Sequence, residues 1–195
     1  MKLRLYVFTV LLAAQLLATI SFAQTQARAK MTPEEILAAI KPGKWVKLEG
    51  VIQRDFSILC TQVKILTGDF LDDDWSITAV VRNMDRAKQE FRMLRVPVKT
   101  HNNTEYETKI GTFKSFADMK PGLMLEVDGT YLKSDTLLAV EIEDVSAELV
   151  AEPSLANQVD ARGKVDSVDI PNRTVTLMGI TFHIIDKTRL KSAIK

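Results

Sequence analysis

The chain has 195 residues, 46% of them apolar, with 26 Lys and Arg against 25 Asp and Glu. Taking away Lys2 and Arg4 with the leader described next leaves 24 basic against 25 acidic residues, a near-neutral protein without the positive field that draws proteins to nucleic acid or anionic lipid. A single cysteine, Cys60, excludes an intrachain disulfide, so stability must come from packing.

Residues 1–23 open with Lys2 and Arg4, run apolar from Leu5 to Ile20 and end Ser21-Phe22-Ala23. This is the pattern of a secretory signal peptide cut after Ala23, and the apolar run is short for a membrane span of ~20 residues. A periplasmic or secreted protein with no membrane span after cleavage is expected.

Thr32-Pro33-Glu34-Glu35 then offers an N-cap, a first-turn proline and two acidic groups at the positive end of a helix dipole, predicting a short helix that stops near Lys41. After Lys41-Pro42-Gly43, the apolar residues Val46 and Leu48 alternate with Lys47 and Glu49. Leu59, Thr61 and Val63 continue the same period of two, which marks strands with one buried and one wet face. The connector from Gly68 to Asp74 carries Asp69, Asp72, Asp73 and Asp74. These lack the alternating spacing and mid-loop glycine of a calcium loop, so a solvated link is expected.

From Trp75 three strands are predicted, with Phe91, Met93, Val96 and Val98 at core parity. A short helix from Lys114 to Met119 follows, placing Phe116 and Met119 on one face. Two more strands then follow Lys120-Pro121-Gly122, and beyond the connection from Leu149 to Gln158 three last strands carry Val175, Leu177, Ile180 and Phe182. Their first turn, Asp169-Ile170-Pro171-Asn172, has hairpin chemistry.

These elements repeat out of phase. Residues 31–69 match 110–148 without gaps at an offset of 79, and residues 77–107 match 161–191 at an offset of 84. Residues 75–148 therefore hold one complete unit of five strands with a helix between the third and fourth, the succession of an OB-type barrel. Residues 31–69 plus 158–195 hold the two parts of a second unit in permuted order. The expected fold is all-β with short helices, in two OB-like five-stranded barrels, one formed from both chain ends. Left alone, the last three strands would expose large apolar side chains at a cost of roughly 1.5 to 3 kcal/mol each. Closure on the N-terminal half of the same molecule is favoured by short connections, while a swapped dimer is the competing arrangement.

The run Phe116-Ala117-Asp118-Met119-Lys120-Pro121-Gly122 with Val127 and Gly129, then Leu137-Leu138-Ala139 with Ile142-Glu143, and the opening Gly163 to Val165, resembles the domain-of-unknown-function family 5666 of bacterial exported proteins. The resemblance implies an envelope protein of OB-like β modules and brings no catalytic residue. The N-terminal copy departs from the pattern, with Cys60 where Ala139 stands and Phe56 where Asp135 stands, which weakens the expectation of the same turn there.

No residue is assigned to catalysis, to a cofactor or to a metal. His101 and His183 fall on the third strand of their units with outward parity and no ligand neighbours at metal spacing. Cys60 takes the slot of a small packing residue. Arg82, Arg86, Lys88, Arg92, Arg95 and Lys99 gather around the first three strands of the central unit, near the ligand face of OB folds. Trp45 stands on the wet parity of its strand, which points first to contact between the two barrels or with the short helix, while with Trp75 it is also a candidate for stacking on sugar. The residues proposed to bind ligand are Arg82, Arg92, Arg95, Lys99, Trp45 and Trp75. The function expected is a non-enzymatic exported envelope protein acting as a binding or structural module, its partner another envelope protein or a polysaccharide. The alternative is a binder of an anionic polymer or oligosaccharide through the strand face of the central barrel. Nucleic acid is disfavoured because Phe91, the aromatic among the basic strands, has core parity.

Overall fold

The computed structural model describes residues 31–108, 111 and 113–192; the expected leader, residues 1–23, lies outside them, as do residues 193–195. Among the described residues no helix is long and apolar enough to cross a membrane.

Helix α1 (Pro33–Ala39) begins with a capping box, in which the Glu35 N–H donates to Thr32 Oγ1 at 3.2 Å and the Thr32 N–H to Glu35 Oε2 at 2.8 Å. It buries Ile36 and Leu37 and packs against β11. The strands are β1 (Trp45–Ile52), β2 (Ile58–Ile65), β3 (Trp75–Asp85), β4 (Glu90–Met93), β5 (Val96–Lys99), β6 (Glu105–Thr108), β7 (Met124–Tyr131), β8 (Leu137–Asp144), β9 (Gln158–Asp169), β10 (Thr174–Leu177) and β11 (Ile180–Ser192). A second helix, α2 (Ser146–Ala151), precedes β9.

Strands β3, β4, β5, β8 and β7 pair in that order and β7 returns to β3, closing a five-stranded barrel in which only β5 and β8 run parallel. Ile77, Phe91, Met93, Leu125, Leu137 and Ile142 fill it, each 1% exposed or less. The stretch expected as a helix from Lys114 makes only a single 3-10 turn, Phe116–Asp118. Pro121 disfavours helical backbone at the residue before it, and Phe116 and Met119 already reach the core from one turn.

The remaining strands pair β9 to β10, β10 to β11, β11 to β2, β2 to β1 and β1 back to β9, again with one parallel contact, β11 with β2. The hydrogen bonds repeat at the offsets read from the sequence. The Thr104 hydroxyl donates to the Ala139 carbonyl at 2.8 Å, and the Thr188 hydroxyl to the Cys60 carbonyl at 2.6 Å. The Gly122 N–H donates to Val81 at 3.0 Å, and the Gly43 N–H to Val165 at 2.8 Å. Strands β3 and β9 meet antiparallel with Ile77 opposite Ala161, two residues that are equivalents in the repeat.

Strand β6 was not foreseen. It lies parallel to β8 over Glu141 to Asp144, beyond the short β5, whereas the single long strand β11 covers the matching length of β2. His101 also falls past the end of β5, in a turn where its Nδ1 accepts the Asn103 N–H at 3.1 Å.

Candidate binding cleft

The turn between β1 and β2 holds a bulky residue, Phe56, in the left-handed backbone region. The Gln53 N–H donates to the Ser57 carbonyl at 2.8 Å and the Phe56 N–H to Gln53 at 3.0 Å; the equivalent turn has Leu132 to Thr136 at 2.9 Å and Asp135 to Leu132 at 3.0 Å. The two turns share one conformation, although Phe56 stands where the other copy has Asp135. Both turns put their fourth residue in the left-handed region, at φ 58° for Asp135 and 66° for Phe56. Aspartate tolerates that region, whereas a bulky residue there is strained by roughly 1–2 kcal/mol. Phe56 is nevertheless 77% exposed and recovers little of that cost by burial. Phe56→Asp, which installs the residue of the other copy, is expected to raise the unfolding free energy by about 1 kcal/mol in urea denaturation.

Phe56 overhangs a cavity of about 620 Å³ whose floor includes Ile52, Ile58 and Ile180. Arg82 at the end of β3, Arg95 in the turn between β4 and β5, and His183 of β11 reach the same space. Neither arginine side chain has an ion-pair or hydrogen-bond partner among the described residues. Asp55 is occupied on the rim: its carboxylate accepts the Ser57 hydroxyl at 2.7 Å and the Ser57 N–H at 3.0 Å, which with the nearby His183 holds it below the usual carboxylate range. A second cavity of about 470 Å³ adjoins the first and shares Asp55, Ser57 and His183 as its wall.

The six candidate residues separate into three places. Arg82 and Arg95 line the cleft. Arg92 and Lys99 lie outside it on β4 and β5, where Arg92 donates to the Arg95 carbonyl at 3.3 Å and Lys99 reaches Glu90 at 3.8 Å. Trp45 and Trp75 belong to an aromatic row: Phe70 stacks on Trp45 with centroids 4.8 Å apart, Trp45 meets Trp75 at 5.2 Å, and Trp75 meets Tyr131 at 5.1 Å. Trp75 is buried against Gly163, where an added Cβ would come within 2.1 Å of the indole, so its place in the binding set is withdrawn. Trp45 faces this row rather than solvent, which accounts for a large apolar residue on the wet parity. Phe56 and His183 line the cleft as well, neither of them among the six candidates.

Other reactive groups are spent locally. Cys60 is buried, its thiol donates to the Gln62 carbonyl at 3.3 Å, and burial pushes its pKa up to about 12. The Asp69 to Asp74 link contributes Phe70 to the aromatic row, and the Asp74 carbonyl accepts Arg162 Nε at 2.9 Å. Among the described residues no three His, Cys, Asp or Glu side chains are placed to hold a metal ion.

Away from the cleft, β6, β8 and β7 set like charges side by side, with Glu105 opposite Glu141 opposite Asp128, and Glu107 opposite Glu143 opposite Glu126. Burial, and then the neighbouring carboxylates, hold the Glu141 and Glu126 carboxyls above their usual range. A carboxyl whose folded-state pKa exceeds the unfolded one destabilises the fold where it is ionised, and that penalty fades as pH falls through the raised value. The melting temperature is therefore expected to rise as pH is lowered from neutral toward the ordinary glutamate value of 4.5. The carboxyls held low, Asp55, Asp85, Asp118, Asp169 and Glu34, withdraw their support only at lower pH. Glu141→Gln should add about 0.5 kcal/mol at neutral pH and flatten this rise.

Residues 77–143 match the model of a family described as Domain of unknown function (DUF5666). No curated protein and no solved structure matches the chain.

Proposed function

We propose that this chain, which belongs to the DUF5666 family through residues 77–143, is an exported, non-enzymatic envelope protein that works as a binding module. In this reading residues 75–148 form one barrel unit and residues 31–69 with 158–195 form a second of the same design. The return of β1 to β9 and the parallel contact of β11 with β2 support the second unit. Export rests on the leader pattern of residues 1–23.

The observation that carries the binding reading is the cleft. Two guanidinium groups without a partner among the described residues and a strained, exposed aromatic ring surround a cavity within the usual 300–1,000 Å³ of ligand sites. Arginines in that setting favour carboxylate or sulfate groups, and the ligand is an anionic polymer or oligosaccharide.

Heparin is the probe. Titration at low salt is expected to show binding that Arg82→Ala with Arg95→Ala weakens roughly 30-fold, about 2 kcal/mol. Arg92→Ala with Lys99→Ala, outside the cleft, should leave it unchanged. No binding at low salt would end the anionic-ligand reading; equal losses in the two double variants would move the site to the strand face of β4 and β5.

A further inference from the structure

We infer that the cleft and its neighbouring cavity form one trough for an acidic polysaccharide, with an acid group of the chain held at Arg82 and Arg95 and the following sugars running past His183. This rests on the binding reading above and names its ligand and direction.

The repeat supplies an internal control. The counterparts of Ile52, Phe56, Arg82 and Arg95 are Tyr131, Asp135, Asp166 and Gly179. Those four are satisfied among themselves: the Tyr131 hydroxyl lies 3.4 Å from Asp135 Oδ1, and Asp166 Oδ2 accepts the Gly179 N–H at 3.0 Å. The same backbone therefore carries an acidic set closed by its own hydrogen bonds at one position and a basic, unpaired set at the other. The fold itself requires neither arginines nor an exposed phenylalanine here, so these residues mark a ligand site rather than a packing solution.

The trough is longer than one charged group needs. Its two cavities, about 620 and 470 Å³, abut at Asp55, Ser57 and His183. Cationic charge is free only at the first. In the second, Arg173 is compensated by Glu34 at 2.6 Å and by Asp186 at 3.6 Å. A chain seated across both would thus place an acid group at one end and neutral hydroxyls at the other. Phe56 offers a flat apolar face for the C–H side of a sugar ring, and Asn83 and Thr181 line the cavity with hydrogen-bonding groups for its hydroxyls. Nucleic acid fits less well, because it carries a phosphate at every residue and the second cavity has no free cation to meet the next one.

The test uses the purified protein with glucuronic acid, a series of oligosaccharides in which one glucuronic acid is followed by neutral sugars, and single-stranded DNA, read by calorimetric titration. Oligomers are expected to bind about tenfold or more tightly than the monomer, with both lost in Arg82→Ala. Ile185→Trp and, separately, Leu59→Trp fill the second cavity; each should erase the oligomer advantage while leaving monomer binding in place, and thermal melts establish that the variant is folded. Equal affinity for monomer and oligomer, both still dependent on Arg82, would overturn this inference and leave the binding reading standing. Tighter binding of DNA than of any sugar would overturn the polysaccharide assignment. If no acid binds, the binding reading itself fails.

Discussion

Phe182→Ala is expected to lower the unfolding free energy by about 3–5 kcal/mol, measured by urea denaturation. Phe182 is fully buried on β11, opposite Ile58 of β2, and its ring leans over Gly50 of β1, where an added Cβ would lie 3.2 Å from Cδ1. One side chain from the C-terminal segment thus fills space bounded by two strands of the N-terminal segment. Its counterpart Val98 is smaller, so truncation here removes more volume than the same change there, and neighbours held by β-sheet pairing relax little into the hole. The position of the damage is as informative as its size. Amides of β1, β2 and β9 to β11 should lose hydrogen-exchange protection first, while those of β4, β5, β7 and β8 keep theirs. Uniform loss across all of them would mean that the two rings of strands open as one cooperative unit.

Much of this architecture was legible because burial imposes a period of two on strands, and because the repeat carried the same period to a second place. Val46, Leu48, Val175, Leu177 and Phe182 are all buried, as their alternation requires. Strand β6 escaped because Glu105 and Glu107 make it charged on one face, and only half-buried Tyr106 and Thr108 lie on the other. The Lys114 to Met119 stretch was read as a helix from spacing alone, and spacing of three suits a 3-10 turn equally well.

The site was half legible. A cluster of arginines near the first three strands pointed to Arg82 and Arg95, but Arg92 and Arg95, close in sequence, separate because Leu94 between them takes φ 56° and turns the chain. Trp75 was misplaced because the partner that covers it is a glycine, Gly163, distant in sequence and mute in any pattern of hydrophobicity. Phe56 was visible as a departure from Asp135. Its meaning depended on the backbone angle, which composition does not carry.

Gly129→Ala is expected to cost about 3 kcal/mol, at the upper end for an overpacked site, and more than Gly50→Ala. Both glycines sit where the pairing slips by one residue, between Asp128 and Gly129 against β8 and between Glu49 and Gly50 against β2. Such a bulge bends the strand inward and brings backbone against backbone. At Gly129 a Cβ would stand 2.1 Å from the Leu138 carbonyl oxygen, a main-chain atom fixed by its own ladder, so relief requires moving the strand. At Gly50 the closest atom is a side-chain atom, Ile58 Cγ2 at 2.6 Å, and the nearest main-chain atom, the Leu59 carbonyl oxygen, is 3.0 Å distant. Chemical denaturation of the two variants should therefore rank Gly129→Ala below Gly50→Ala, and both below the parent. The opposite ranking would show that β8 yields more readily than the Ile58 side chain, and would place the stiffer bulge in the ring that joins the chain ends.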